Sequence, residues 1–168
     1  MNSTKRPDPG TAFRSVNLIP EIVVDSGAED SVWVPIRPGV TLRPMMFDVT
    51  NGGWSSLLRI GPGEMLACHY HTQPVHGFTL MGSWRYLEHA WVAGEGTYIF
   101  EPPGEMHTLL ADEKTGMTTF FVTRGALIYT DEEGRQIGYE DVFTRLALCR
   151  EHYARIGRDP AELERMIR

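Results

Sequence analysis

Three histidines in the middle of the chain have the residue type and the spacing of a metal site. His69 and His71 lie two residues apart, so a strand at this point would place both side chains on one face. His107 follows Pro102-Pro103-Gly104, a turn sequence that ends one strand and begins the next. Imidazole binds zinc, copper, iron and nickel, and neutral imidazoles leave the ion its full positive charge. The sequence therefore predicts metal chemistry at these three histidines.

Short β segments separated by glycine and proline must position the histidines. Many short strands with frequent turn signals favour a sandwich or a barrel over an α/β fold. The predicted strands are 21–24, 32–36, 40–49, 54–60, 65–71, 75–84, 86–91, 97–101, 107–110, 117–123 and 126–129. We expect one barrel domain over residues 18–137.

The two ends of the chain differ from this middle part. Residues 1–17 are polar and rich in proline, which predicts a flexible arm. Apolar residues three and four apart across 141–153 predict a helix, and Asp159-Pro160 is typical of the start of a second helix. We expect residues 138–168 to form helices that pack on the barrel or on a partner subunit.

The composition indicates a soluble protein without a nucleic-acid or membrane partner. The 168 residues carry a formal charge of −6, whereas phosphate binding needs a concentrated basic surface. No apolar run approaches the roughly 20 residues that cross a bilayer. The first residues lack the apolar stretch of a secretory signal. Because Cys68 and Cys149 are the only cysteines, we expect free thiols in a cytoplasmic protein.

Both histidine stretches resemble the sequence motifs of the cupin superfamily. Gly63, five residues and then His69-x-His71 resemble the first motif. Gly96, five residues, Pro102-x-Gly104, two residues and His107 resemble the second motif. The resemblance implies a mostly β, single-domain cupin, a double-stranded β-helix or jelly-roll barrel, with a short C-terminal helical segment.

The chain departs from the cupin pattern at the carboxylate of the first motif. Cupins usually carry a glutamate a few residues after the second histidine. Counting back from Gly82 places Val75 at that position, whereas counting forward from His71 places His76 there. Adjacent strand residues point to opposite faces, so the two registers exclude each other. We favour ligation by three histidines and expect His76 near the pocket as a catalytic base. The alternatives for His76 are a fourth metal ligand and an outward histidine beside a turn.

Glu101, six residues before His107, is the second predicted catalytic residue. A carboxylate there could hold a ligand imidazole through a hydrogen bond or anchor a water at the metal, and it could take a proton from a substrate. A solvated charge at a strand end is the alternative. We expect His89 and His152, which have no partner in the sequence, to be structural.

Longer runs of the chain resemble the 2,4'-dihydroxyacetophenone dioxygenases, which are related to acetylacetone-cleaving cupin dioxygenases. The similar runs are 69–86, 98–109 and 120–131, and the likeness continues to about Gly157. The resemblance implies Fe(II) bound by His69, His71 and His107. It also implies that the chain uses O2 to cleave the C–C bond of an aromatic α-hydroxyketone to 4-hydroxybenzoate and formate, a step of aromatic compound catabolism.

Three other functions need only the same ligands. They are cleavage of a β-diketone by a related dioxygenase, metal binding by a non-catalytic sensor cupin, and isomerisation by a zinc or manganese enzyme. Cupins commonly associate, so we also expect a homo-oligomer.

The aryl ring of such a substrate would need an apolar slot, and its para-hydroxyl would need a polar partner. The predicted slot residues are Met65, Phe78, Leu80, Trp84, Tyr86, Phe100 and Met106. The candidates for the polar contact are Arg59, Tyr86 and Arg124, and the sequence does not choose among them.

Overall fold

The protein is built mainly from antiparallel β-strands. The computed structural model describes residues 19–25 and 29–168. Within them lie eleven strands, β1 (Val34–Arg37), β2 (Val40–Asp48), β3 (Gly53–Ile60), β4 (Met65–His71), β5 (Val75–Tyr86), β6 (Ala93–Gly94), β7 (Tyr98–Glu101), β8 (His107–Ala111), β9 (Met117–Arg124), β10 (Leu127–Thr130) and β11 (Gln136–Glu140). Two helices follow, α1 (Val142–Arg155) and α2 (Ala161–Glu164). The prediction of a mostly β fold with a short helical C-terminal segment is confirmed.

The long strand β5 joins the two halves of a curled sheet. The strand order is β1-β2-β3-β9-β5-β8-β4-β10-β11, and β6 and β7 also pair with β5. Residues 75–82 of β5 pair with β9, and residues 84–86 pair with β8. A register shift between Thr79 and Met81 lies close to the change of partner. Through β5 and β8, the histidine-bearing strand β4 is held against the rest of the barrel.

Gly82 has a backbone conformation in β5 that a side chain would strain. Its φ is 69°, and a Cβ atom would lie 2.1 Å from the carbonyl oxygen of Gly116. We expect Gly82→Ala to lower the free energy of unfolding by at least ~2 kcal/mol, because the left-handed conformation alone costs a non-glycine residue roughly 1–2 kcal/mol. Urea unfolding measures this loss.

Gly96→Ala is the matched control for this variant. Gly96 has a φ of 80°, but a Cβ atom there has open space around it among the described residues. We expect Gly96→Ala to lower the free energy of unfolding by only about 1 kcal/mol, because it carries the conformational cost without a backbone contact. Equal losses in the two variants would contradict the role given to the contact with Gly116.

Side-chain alternation along the strands fills the barrel with apolar groups. On β9, Met117 and Phe121 are buried, and the residues between the inward positions are partly exposed. Trp84 is only 1% exposed, and its indole N–H donates to Oγ1 of Thr79 at 3.0 Å. On β4, Leu66, His69 and His71 are buried, and a register shift between Leu66 and His69 interrupts the two-residue alternation ahead of the two histidines.

The C-terminal segment packs on the barrel of its own chain. Helix α1 begins after Asp141, whose carboxylate accepts a hydrogen bond from the amide of Thr144 at 2.8 Å. The helix packs against β1, β2 and β11. The amide of Phe47 in β2 donates to the carbonyl oxygen of Met166, and the amide of Arg168 donates to that of Phe47, each at 2.8 Å. The helical segment therefore contacts the barrel, and packing of residues 138–168 on a partner subunit stays a prediction.

The strands and helices differ from the predicted elements at several boundaries. Strand β11 pairs with β10 over residues 136–140, so the sheet extends beyond residue 137 and helix α1 begins at Val142. The predicted strands 75–84 and 86–91 form one strand that ends at Tyr86, because β8 offers partners through that residue. Residues 21–24 are not a strand. The predicted arm at 1–17 lies outside the described residues.

The structure also bears on the cysteines and on the expected lack of a membrane-spanning segment. Cys68 and Cys149 are free thiols, as expected. In the described part of the chain, no helix is long and apolar enough to span a bilayer.

Candidate metal centre

Strands β4 and β8 bring three imidazole rings together inside the barrel. His69 and His71 occupy inward positions of β4, and His107 begins β8 opposite His69 in the strand register. The ring centroids lie between 4.7 and 5.2 Å apart. Each ring offers a nitrogen within 4.8 Å of the others, so one ion could contact all three at the ~2 Å typical of metal–imidazole bonds. The structure thus assembles the three residues that the sequence predicts.

Burial favours the neutral imidazole form of His69 and His107. The three side chains are at most 4% exposed. Burial, and after it the neighbouring His71 and His107, holds the pKa of His69 well below its usual value. Burial also lowers the pKa of His107 to about 4, although the carboxylate of Glu101 acts in the opposite direction. Because neutral imidazole is the form that coordinates metals, the site can bind an ion near neutral pH.

The nitrogen atoms of the site fit a divalent metal ion. Nδ1–H of His69 donates to the carbonyl oxygen of Ala67 at 2.7 Å, which leaves Nε2 free to coordinate. Both nitrogens of His107 and Nδ1 of His71 are buried without a hydrogen-bond partner among the described residues. A buried polar atom without a partner costs about 1–3 kcal/mol, and coordination would remove part of that cost.

Glu101 extends from β7 into the same lumen. It is 3% exposed, and its Oε2 lies 3.0 Å from Nε2 of His71 and 3.9 Å from Nε2 of His107. The hydroxyl of Tyr86 donates to Oε1 of Glu101 at 2.6 Å. The Tyr86 ring stacks on His107, with centroids 3.9 Å apart and planes 5° apart. Glu101 is therefore a buried carboxylate beside the three histidines, and the alternative of a solvated charge is wrong.

The protonation states of Glu101 and Tyr86 follow from this contact. Burial alone would raise the pKa of Glu101, but the hydrogen bonds from His71 and Tyr86, together with electrostatic interactions with His71 and His107, outweigh it and hold the pKa below its usual value. Burial, followed by the charge of Glu101, raises the pKa of Tyr86 well above its usual value. Glu101 is thus an ionised acceptor, and Tyr86 stays a donor.

The structure orients Val75 into the barrel and His76 away from it. Val75 is 1% exposed and lies opposite Glu101 in the register of β5 and β7. His76 is exposed, and its Nδ1 lies 2.8 Å from the hydroxyl of Tyr98. The expectation that His76 lies near the pocket as a base is corrected, because successive strand residues point to opposite faces. The carboxylate beside the histidines comes instead from the neighbouring strand, at Glu101.

His76→Ala should therefore leave the metal content unchanged. The imidazole contacts Tyr98 and Phe100 on the outer face of the sheet, so its loss removes no group from the lumen. Metal analysis of the purified variant should give the wild-type stoichiometry within experimental scatter. His71→Ala, on the inward face of β4, is the matched comparison and should lose the metal. A large loss of metal from a folded His76→Ala variant would contradict the orientation of β5.

A narrow cavity of about 40 Å³ adjoins the histidines. His69, His71 and Glu101 line its polar part, and Tyr86 and Arg145 also reach it. Much of the remaining wall is apolar, with side chains that include Leu42, Trp54, Leu58, Phe121 and Leu127. A space of this size has room for only a few water molecules. A ligand with an aromatic ring therefore requires the apolar side chains to move apart.

Most of the predicted substrate-binding residues lie elsewhere. Of the slot residues, Tyr86 lines the cavity and Trp84 is buried in the core. The other five are 39% to 53% exposed because they occupy outward positions or loops: Met65, Phe78, Leu80, Phe100 and Met106. Arg59 and Arg124 are exposed as well, and Arg59 pairs with Asp30 at 3.2 Å. Of the predicted polar contacts, Tyr86 alone lies at the site.

Arg145 lines the cavity and was not among the predicted residues. It is 5% exposed on helix α1 and shares the buried face of that helix with Val142, Leu146 and Cys149. The signal in the sequence was a charged residue within an apolar stripe of helical period. Such an arginine is buried only when something in the protein, or a ligand, offsets its charge.

The two histidines with expected structural roles, His89 and His152, make contacts outside the metal cluster. His152 Nε2 lies 2.8 Å from the carbonyl oxygen of Ser31. His89 Nε2 lies 2.9 Å from a carboxylate oxygen of Glu105. Neither belongs to the cluster of His69, His71 and His107.

The curled antiparallel sheet and its inward histidines on two neighbouring strands define a cupin barrel with a site suited to a metal ion. The family model of the ChrR cupin-like domain matches residues 21–134, which is more than half of the chain. The chain therefore belongs to the ChrR cupin-like family. The curated proteins include no match to it.

Several solved structures are similar to this chain. An RmlC-like cupin from Ralstonia eutropha JMP134 is 30% identical, with a TM-score of 0.73 over 76% of this chain and 85% of that chain. A cupin-like protein of unknown function from the same organism is 24% identical, with a TM-score of 0.68 over 71% and 75%. The acetylacetone dioxygenase from Acinetobacter johnsonii is 18% identical, with a TM-score of 0.72 over 82% and 96%. The last two similarities show the shared fold alone.

Proposed function

We propose that this protein is a non-haem iron-dependent dioxygenase that cleaves the C–C bond of an aromatic α-hydroxyketone. For 2,4'-dihydroxyacetophenone and O2, the products would be 4-hydroxybenzoate and formate, with every atom of both reactants retained. The observation that carries the proposal is the buried site in which His69, His71 and His107 meet the carboxylate of Glu101. The fold shared with an acetylacetone dioxygenase and the sequence runs that resemble 2,4'-dihydroxyacetophenone dioxygenases support it.

Fe(II) is the proposed metal, and His69, His71 and His107 would hold it. When bound, such an ion supplies Lewis acidity and a redox partner for O2. The neutral imidazole ligands preserve the positive charge of the site, which favours a substrate that binds through negatively charged oxygen.

Glu101 would accept the substrate proton, and Tyr86 would orient the carboxylate of Glu101. A hydroxyketone must lose a proton before its electron-rich enediolate form can react with O2, and Oε2 of Glu101 lies beside the histidines, where that proton is released. The hydroxyl of Tyr86 holds Oε1, so the carboxylate keeps one orientation. The apolar wall, including Val75 and Phe121, would leave little room for water once a substrate fills the cavity.

Cleavage of a β-diketone is the second candidate function. The observation that favours it is the narrow cavity, because an acyclic diketone is smaller than an aryl ketone and displaces fewer side chains. The acetylacetone dioxygenase with the same fold also favours this candidate. Both functions use the same histidines, so a comparison of substrates separates them.

Anaerobic reconstitution with Fe(II) tests the proposal. Protein loaded with one iron per chain should consume O2 when 2,4'-dihydroxyacetophenone is added, and formate should appear in equal amount. Protein loaded with Zn(II) is the control and should consume none. O2 uptake on acetylacetone alone would favour the second candidate. Full iron loading with no O2 uptake on any hydroxyketone or diketone would contradict both, and would point to a non-catalytic metal-binding cupin.

The cytoplasmic location and the homo-oligomeric state stay predictions. Sedimentation analysis of the purified protein decides the oligomeric state.

A further inference from the structure

Helix α1 carries a buried cation at the wall of the cavity. Arg145 is 5% exposed and lines the cavity together with Trp54, Leu42 and Leu127. Its Cζ lies 5.9 Å from the centroid of the Trp54 ring. A guanidinium group placed among apolar side chains has lost most of its hydration, so every N–H group there needs an acceptor.

The contacts of Arg145 within the described residues satisfy only part of the guanidinium. Nη2 pairs with the carboxylate of Glu140, whereas Nε and Nη1 are buried and have no hydrogen-bond partner in the described part of the chain. Leaving a charged donor unsatisfied costs more than leaving a neutral one unsatisfied. Arg145 therefore has donors available at the cavity beyond the ion pair that anchors it.

A chain of contacts connects Arg145 to the histidines. Glu140 also accepts a hydrogen bond from the hydroxyl of Tyr129 at 3.0 Å, and the Tyr129 ring lies 5.6 Å from that of His69. Arg145 lies outside the cluster of His69, His71 and His107, and it lines the same cavity. The cavity therefore has a histidine and carboxylate pole, apolar walls and a separate cationic group.

We propose that Arg145 binds an oxyanion or a hydroxyl oxygen of the substrate at a position away from the reacting ketone. The proposal rests on the proposed function, because it assigns the second polar contact of the same cavity. It defines the substrate class as a flat apolar ketone that carries a phenol or carboxylate group beyond its ring. Charge-assisted hydrogen bonds from arginine to such oxygens are stronger than neutral ones and discriminate against ligands that lack the group.

Binding of three matched ketones tests the proposal. The ligands are 2-hydroxy-1-phenylethanone with hydrogen, hydroxyl or carboxylate at the para position, added to iron-loaded protein without O2 so that no turnover occurs. Quenching of tryptophan fluorescence gives each Kd. We expect the para-hydroxyl or para-carboxylate ligand to bind roughly 10- to 100-fold more tightly than the unsubstituted one. The tighter of the two identifies the group that Arg145 binds.

Variants separate this role from a structural one. Arg145→Met should abolish the preference, and Arg145→Lys should retain part of it. Arg150→Met is the matched control, since Arg150 lies on the same helix, is half exposed and pairs with Glu164. The double variant Glu140→Gln/Arg145→Met avoids leaving an unpaired, partly buried carboxylate and should also lose the preference while it keeps wild-type iron content.

Four outcomes decide whether Arg145 has this role. A wild-type protein that does not distinguish the para substituents, or an Arg145→Met variant that keeps the preference, overturns the proposal. A clear preference that depends on Arg145, in a protein that shows no turnover, supports the proposal while it contradicts the proposed reaction. Turnover without the preference supports the proposed reaction and contradicts the role proposed for Arg145.

Discussion

His107→Ala should reduce the iron content from about one per chain to less than about one tenth. His107 supplies one of three nitrogens that lie within 4.8 Å of one another, and both of its own nitrogens lack a hydrogen-bond partner among the described residues. Losing one of three protein ligands removes a large share of the binding free energy of a first-row metal ion. Metal analysis after anaerobic loading and gel filtration measures the loss, and O2 uptake should fall below detection with it.

Two further variants make this result specific. His107→Gln keeps more of the side-chain volume beside Tyr86 and should lose the iron as well, which separates ligation from packing. His89→Ala removes a histidine that pairs with Glu105 outside the cluster and should keep the iron. A folded His107→Ala variant with one iron per chain would overturn the ligand assignment.

Glu101→Gln should lower turnover by roughly 10²- to 10⁴-fold while the iron content stays within about twofold of wild type. The amide keeps the size of the side chain and can still accept the hydrogen bond from Tyr86, but it cannot take a proton at Oε2. Steady-state O2 uptake, normalised to bound iron, measures the effect.

The control for this variant is Glu105→Gln. Glu105 is a partly exposed carboxylate near the end of β7 that contacts His89, and its amide form should retain the wild-type rate. Full turnover by Glu101→Gln would contradict the role of Glu101 as the base. Loss of iron in proportion to turnover would instead make it a metal ligand.

The sequence predicted the histidine cluster because two short-range patterns determine it. His69 and His71 share a face through the two-residue period of a strand, and the turn at residues 102–104 returns the chain so that His107 begins β8. Antiparallel pairing of β4 with β8 then places His107 opposite His69. The mostly β fold and the C-terminal helix followed from equally local signals.

The register of β5 could not be predicted from the same signals. Residues 72–74 separate β4 from β5, and the conformation of this short loop decides whether Val75 or His76 faces inward. That conformation depends on strand pairing with β7 and β9, which is long-range information. One residue of shift reverses every side chain of a strand, so the predicted base His76 and the predicted slot residues Phe78 and Leu80 were affected.

Arg145 escaped prediction for a different reason. Helical periodicity identified the buried face of α1, but only the packing of that helix against β1, β2 and β11 brings the face to the cavity. The contact joins parts of the chain that are far apart in sequence, and no local pattern encodes it.

Isotope labelling tests the central claim, that three buried histidines and Glu101 form an iron centre for O2-dependent cleavage of a hydroxyketone. Iron-loaded protein is given 2,4'-dihydroxyacetophenone under 18O2, and both products are analysed by mass spectrometry. The account predicts one labelled oxygen atom in 4-hydroxybenzoate and one in formate. Absence of formate, or products whose new oxygen atoms come from water, would contradict it.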